Sequence, residues 1–125
     1  MDRKSPVLLA SYLLNPEEER AQYDADTDKN MFLLKFVNAA NKQPVAVLNW
    51  FAVHATSMNN TNTLVSGDNK GYASYAMEKE MNGVLSEPGK GPFIAAFAST
   101  NLGDVSPNTA GPKCIDTGEP CDGSS

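Results

Sequence analysis

Pro44-Val45-Ala46-Val47-Leu48-Asn49-Trp50-Phe51-Ala52-Val53 is apolar on nearly every residue, without the alternation of a strand that keeps one face in water. Such a segment predicts a strand covered on both faces, and so helices or a second sheet lying over it. Met31-Phe32-Leu33-Leu34-Lys35-Phe36-Val37 predicts another strand just upstream. The polar turn Asn38–Gln43 between them is short enough to favour an antiparallel hairpin. Pro92-Phe93-Ile94-Ala95-Ala96-Phe97-Ala98 reads as a third strand. Between the second and third strands, Tyr72–Met81 predicts a helix with Tyr72, Tyr75, Ala76 and Lys79 on one packing stripe, Asp68 or Asn69 as its cap and Asn82-Gly83 as its stop. Asn15-Pro16-Glu17-Glu18-Glu19-Arg20 reads as an earlier helix start, with Asn15 accepting from free N–H groups and three carboxylates at the positive end of the helix dipole, fading near Asp24–Asp28. From Thr100 onward Gly103, Pro107, Gly111, Pro112, Gly118 and Pro120 predict an irregular loop over 100–125. The expected class is α/β, with mixed β-sheet layers and flanking helices, ending in a stretch that this chain does not support by itself.

With 125 residues and a 41% hydrophobic content, one folded domain is the expectation. The net charge of −5, from 10 basic and 15 acidic side chains, argues against a nucleic-acid partner, which would need clustered Lys and Arg. No apolar run approaches the roughly 20 residues of a membrane span. Val7–Ala10 is too short an apolar patch for a secretory leader. Cys114 and Cys121 form a local disulfide or remain two thiols; they lack zinc-site spacing. Together with the Asn59-Asn60-Thr61 sequon they tilt the chain toward an oxidising compartment.

Chemistry-bearing residues gather where strands give way to loops, as active-site groups do in α/β proteins. His54, the single histidine, follows the second strand. Ser66-Gly67-Asp68-Asn69 precedes the second helix, and Asn101-Leu102-Gly103-Asp104-Val105-Ser106-Pro107-Asn108 follows the third strand. A neutral imidazole binds zinc, but zinc takes three or four protein ligands, so any zinc on His54 draws the others from outside this chain. Ser106 lies in no G-x-S-x-G elbow, and a serine hydroxyl needs a base or a metal to become a nucleophile. Read without further context, both are more often structural: a hydrogen-bonded histidine and a Ser-Pro turn. Gly103 leaves room for a substrate in the functional reading. Gly89-Lys90-Gly91 lacks the phosphate-loop pattern and reads as a turn.

Taken together, Asn49-Trp50-Phe51-Ala52-Val53-His54-Ala55-Thr56-Ser57-Met58, Asp68-Asn69-Lys70-Gly71-Tyr72-Ala73-Ser74-Tyr75 and Gly91–Asn108 resemble three ordered blocks of the neutral ceramidase family, N-W-F-A-x-H-P-x-S-M, D-N-x-G-Y-A-S-Y and G-P-F-x-A-A-F-A-S-x-N-x-G-D-V-S-P-N. The resemblance runs from about Ser11 to Cys121. It implies a zinc amidohydrolase that cleaves the N-acyl bond of ceramide to sphingosine and a fatty acid. His54 matches a zinc-ligand histidine and Ser106 the catalytic serine. The remaining ligands (a second His, a Glu and a Tyr) lie in regions absent from this chain. Residues 1–125 then correspond to part of an N-terminal catalytic domain, an internal piece of a longer enzyme that carries an immunoglobulin-like C-terminal domain. The resemblance further implies an extracellular or cell-surface location and a membrane surface as the source of ceramide. Ala55 stands where the family has Pro. Asp2-Arg3-Lys4-Ser5-Pro6 only echoes the family's N-R-S-P segment, so its active-site Arg is not carried onto Arg3. Cys114 and Cys121 can pair with each other or with cysteines beyond this region.

Two schemes follow from that resemblance. A water activated by zinc attacks the amide while Ser106 orients the substrate, or Ser106 attacks and forms an acyl-enzyme with zinc as Lewis acid. The first is favoured, because the sequence offers no His or Asp partner for Ser106. The 125 residues by themselves are expected to be inactive. The alternatives are a truncated non-catalytic product or lipid-binding module, and a generic α/β binding module.

Overall fold

The computed structural model describes residues 12–59, 61–103, 105–107 and 117–119. Its elements are α1 (Glu17–Arg20), β1 (Met31–Val37), β2 (Pro44–Phe51), α2 (Asp68–Asn82) and β3 (Ile94–Ala98). The strands form one mixed sheet in the order β1-β2-β3. β1 and β2 make the expected antiparallel hairpin, from Met31 opposite Phe51 to Phe36 opposite Ala46, with a bulge before Val37. Its turn is closed by the Asn38 N–H donating to Gln43 O at 2.9 Å and by the Asn38 carboxamide accepting from the Ala40 N–H at 2.9 Å. β2 and β3 run parallel, from Ala46 beside Ile94 to Trp50 beside Ala98. A parallel neighbour needs a crossover, and α2 supplies it. Among the described residues beyond Ala98 there is no regular element.

α2 starts four residues earlier than the apolar pattern predicts. Its N-cap position is Gly67, and neither Asp68 nor Asn69 caps it, because both side chains are turned to the loop after β2. Gly67 cannot be larger: a Cβ there would lie 2.8 Å from the Gly71 Cα one turn on. The stop is as expected, with Gly83 at φ 92° and its N–H on Lys79 O at 3.0 Å. The packing stripe is not the expected one. Tyr72 is 70% exposed, and the residues turned inward are Met77 and Glu78. α1 is a single turn with Pro16 at the N-cap and no side-chain cap, so Asn15 does not serve there.

The core is small: Val47, Phe93 and Ala95, with Met77 and Phe97 packed against them. Glu78 enters it as a carboxylate because the backbone satisfies it. Its Oε1 accepts from the Ala95 N–H at 3.0 Å and its Oε2 from the Gly89 N–H at 2.6 Å. These bonds hold its pKa below the ordinary carboxylate range against the opposing effect of burial. Asn82 clasps the entry to β3 reciprocally: its Nδ2 donates to Phe93 O at 2.8 Å and its Oδ1 accepts from the Phe93 N–H at 2.9 Å. Among the described residues one helix supplies the cover expected over the apolar strands. α2 packs on β3, whereas every residue of β1 is exposed.

Candidate active site

The parallel pairing of β2 and β3 brings the C-terminal ends of both strands out at the same end of the sheet, and the loops that follow carry His54 and Ser106. A ladder would carry the chains no further than Trp50 and Ala98. Beyond that point, the His54 N–H donates to Val105 O at 3.0 Å, and the His54 ring Nε2 lies 2.8 Å from Gly103 O. His54 is thus seated on both sides of a turn closed by the Val105 N–H on Leu102 O at 2.8 Å, and Ser106 follows directly. Both His54 and Ser106 are partly buried, and neither is sealed in hydrocarbon.

A carbonyl only accepts, so Nε2 bears the proton and the lone pair of the neutral ring is on Nδ1. A second nitrogen fixed on a carbonyl is the usual way a metal-binding imidazole is oriented. One such ring fits one position of a zinc site and no more. Among the described residues no group of three or more His, Cys, Asp or Glu is placed to hold a metal ion. Gly103 also sets the course of the backbone at this turn. Its φ is 48° and a Cβ there would meet nothing within 4 Å among the described residues. The left-handed backbone that turns its carbonyl toward His54 favours glycine here.

The first turn of α2 grips the same region, a function that reading these residues as caps misses. The Asp68 carboxylate accepts from the Ser57 N–H at 2.9 Å and the Met58 N–H at 2.8 Å. Burial works to raise its pKa, but bonds from the Ser57, Met58 and Asn69 backbone outweigh that and hold it below the ordinary range. Asn69 Nδ2 donates to His54 O at 2.8 Å and Ser57 Oγ at 3.0 Å. Lys70 Nζ donates to Phe51 O at 2.8 Å and Ala98 O at 3.0 Å, bridging the last residues of β2 and β3. Burial lowers its pKa. The signal available in the sequence was three consecutive polar residues at a helix start, more than capping needs.

Tyr72 and Tyr75, with ring centroids 6.1 Å apart, line an open cavity of about 700 Å³ together with Met58, Asp68, Asn69 and Pro88. Neither His54 nor Ser106 borders it. Cys114, Cys121, Asp104 and the segment Asp2–Pro6 lie outside the described residues.

Comparison with known proteins bears on the same residues. Neutral ceramidase A of Dictyostelium discoideum is 60% identical over 112 residues, 90% of this chain and 15% of that protein. The neutral ceramidase of Drosophila pseudoobscura pseudoobscura is also 60% identical over 112 residues, 16% of its length. Two solved structures superpose: a ceramidase complexed with C2 (TM-score 0.65, 44% identity, 86% of this chain and 15% of that one) and the neutral ceramidase of Pseudomonas aeruginosa (TM-score 0.63, 40% identity, 98% and 18%). The chain therefore spans about 15% of the length of these two relatives. The N-terminal region of the neutral/alkaline non-lysosomal ceramidases matches residues 5–125, and the chain belongs to that family.

Proposed function

We propose that this chain is part of an enzyme that hydrolyses the N-acyl amide of ceramide to sphingosine and a free fatty acid. The observation that carries this reading is the clasp of His54 onto the 103–105 turn, which brings the two candidate residues onto adjacent loops at one end of a parallel strand pair. Family membership supplies the reaction class. Zinc, when bound, would polarise the amide carbonyl and acidify a water. His54 would be one ligand, through the ring nitrogen not engaged by Gly103, with the others coming from outside the described residues. Ser106 would lie against the reacting amide, orienting the substrate through its hydroxyl. The parent protein would meet ceramide at a membrane surface on the extracellular side.

The test is zinc content and ceramide turnover of the longer polypeptide that contains this segment. His54→Ala should lose zinc and turnover together. Ser106→Ala should keep zinc and lose turnover on the order of 100-fold or more. The 125 residues by themselves should not turn over ceramide. Zinc retained in His54→Ala, or full turnover by Ser106→Ala, overturns the assignment of roles; an acyl group trapped on Ser106 would replace the water-attack scheme with the serine one.

A further inference from the structure

We propose that Asn69 is a positioning residue for His54, an inference that rests on the reading of His54 as a site residue. His54 lies three residues beyond the end of β2, where ladder bonds no longer hold the chain. It is instead held at its N–H by Val105 O, at its ring by Gly103 O and at its carbonyl by Asn69 Nδ2. The first two of these holds come from a loop. Asn69 is the hold that comes from a helix, and a helix is the stiffer support.

The chemistry of the amide makes asparagine specific here. Nδ2 has two hydrogens, and they reach His54 O at 2.8 Å and Ser57 Oγ at 3.0 Å, so one group spans the bend from 54 to 57. Reversing the amide would set Oδ1 against a carbonyl, which cannot donate. A carboxylate would do the same with a full negative charge. The neighbours make the support rigid: Asp68 fixes Ser57 and Met58, and Lys70 fixes Phe51 and Ala98. Freed of Asn69, the His54 carbonyl could rotate, and the ring would lose its fixed relation to Gly103 and hence to Ser106.

The test uses the longer polypeptide that contains this segment, freed of metal and labelled with nitrogen-15, comparing the unaltered chain with Asn69→Asp and Asn69→Ala. In the unaltered chain the His54 ring should show the Nε2–H tautomer and a protected His54 amide. Both variants should speed exchange of the His54 amide about tenfold or more and mix the ring tautomers, most strongly in Asn69→Asp. The Ala95 amide, bonded to Glu78, should keep its protection. An unchanged His54 amide and ring in both variants overturns the proposal. So does an equal loss at His54 and Ala95, which would make Asn69 a general stabiliser. Failure of the ceramidase reading would show separately, as zinc and turnover in the longer polypeptide indifferent to His54→Ala and Ser106→Ala, with these signals unmoved.

Discussion

The two edges of the sheet are both apolar in sequence and lie in opposite surroundings. β3 is short and built largely of small residues; Ala95 is buried and α2 lies over it. β1 is longer and bulkier, yet Phe32 is 57% exposed and Leu33 54%. The difference teaches that an apolar strand states a need for cover without saying what provides it. The chain that leaves β2 forms α2 before it returns to start β3, so it carries its own cover to that side. Nothing in the connection of β1 to β2, a six-residue turn from 38 to 43, can carry a helix back over β1. A small residue on β3 is what lets a helix approach, and a large one on β1 is what a further layer would bury.

The comparison breaks most readily at Glu78. Glu78→Ala leaves the buried Ala95 N–H without its acceptor, loses the bond to the Gly89 N–H as well, and should cost about 3 kcal/mol by denaturant unfolding. A loss below about 1 kcal/mol would mean that the covered edge is no firmer than the open one. Asn82→Ala removes both bonds to Phe93 and should cost about 2 kcal/mol in the same measurement.

Acid sharpens the same contrast. The folded-state pKa values of Glu78 and Asp68 are depressed, so the stability they contribute is present above the ordinary carboxylate range and is lost as pH falls through the folded values. Unfolding followed against pH should steepen below the ordinary carboxylate range, and Glu78→Gln should flatten that slope. Retention of the full slope in Glu78→Gln would assign it to other groups.

The smallest effect is expected on β1. Leu33→Lys or Leu34→Lys, at positions 54% and 49% exposed, should change the unfolding free energy by no more than about 0.5 kcal/mol. Each should lower self-association in sedimentation, because a bare apolar edge strand is a template for pairing. A loss comparable to that of Glu78→Ala would show that β1 is covered in solution.

Much of the fold was legible because periodicity and turn residues act locally. All three apolar runs became strands, and Gly83 ended α2 as its freedom to adopt positive φ suggested. The misreadings are equally local in origin. Asp68 and Asn69 look like caps because they precede a helix, but their partners lie in the loop after β2, ten to fifteen residues upstream. Tyr72 looks like core because it is aromatic, whereas the inward face carries a charged residue, Glu78, that no hydropathy pattern would place there. Of the candidate site, His54 and Ser106 were visible as polar groups after apolar strands and as parts of family motifs. Asn69 and Lys70 were visible in the same way, but what they hold was not, since each acts on backbone carbonyls and leaves no pattern in the residues it serves.

By itself the sequence determined the elements, the family and the two residues on which chemistry was expected, because these follow from neighbours along the chain and from motifs read in order. Only the tertiary structure decided that β2 and β3 lie parallel, so that Phe51 and Ala98 end side by side under Lys70 and His54 reaches the Gly103–Val105 turn. Those contacts join residues 19, 28 and 49 positions apart. Their energy is gained only after the loop between them has closed, so no local preference can announce them.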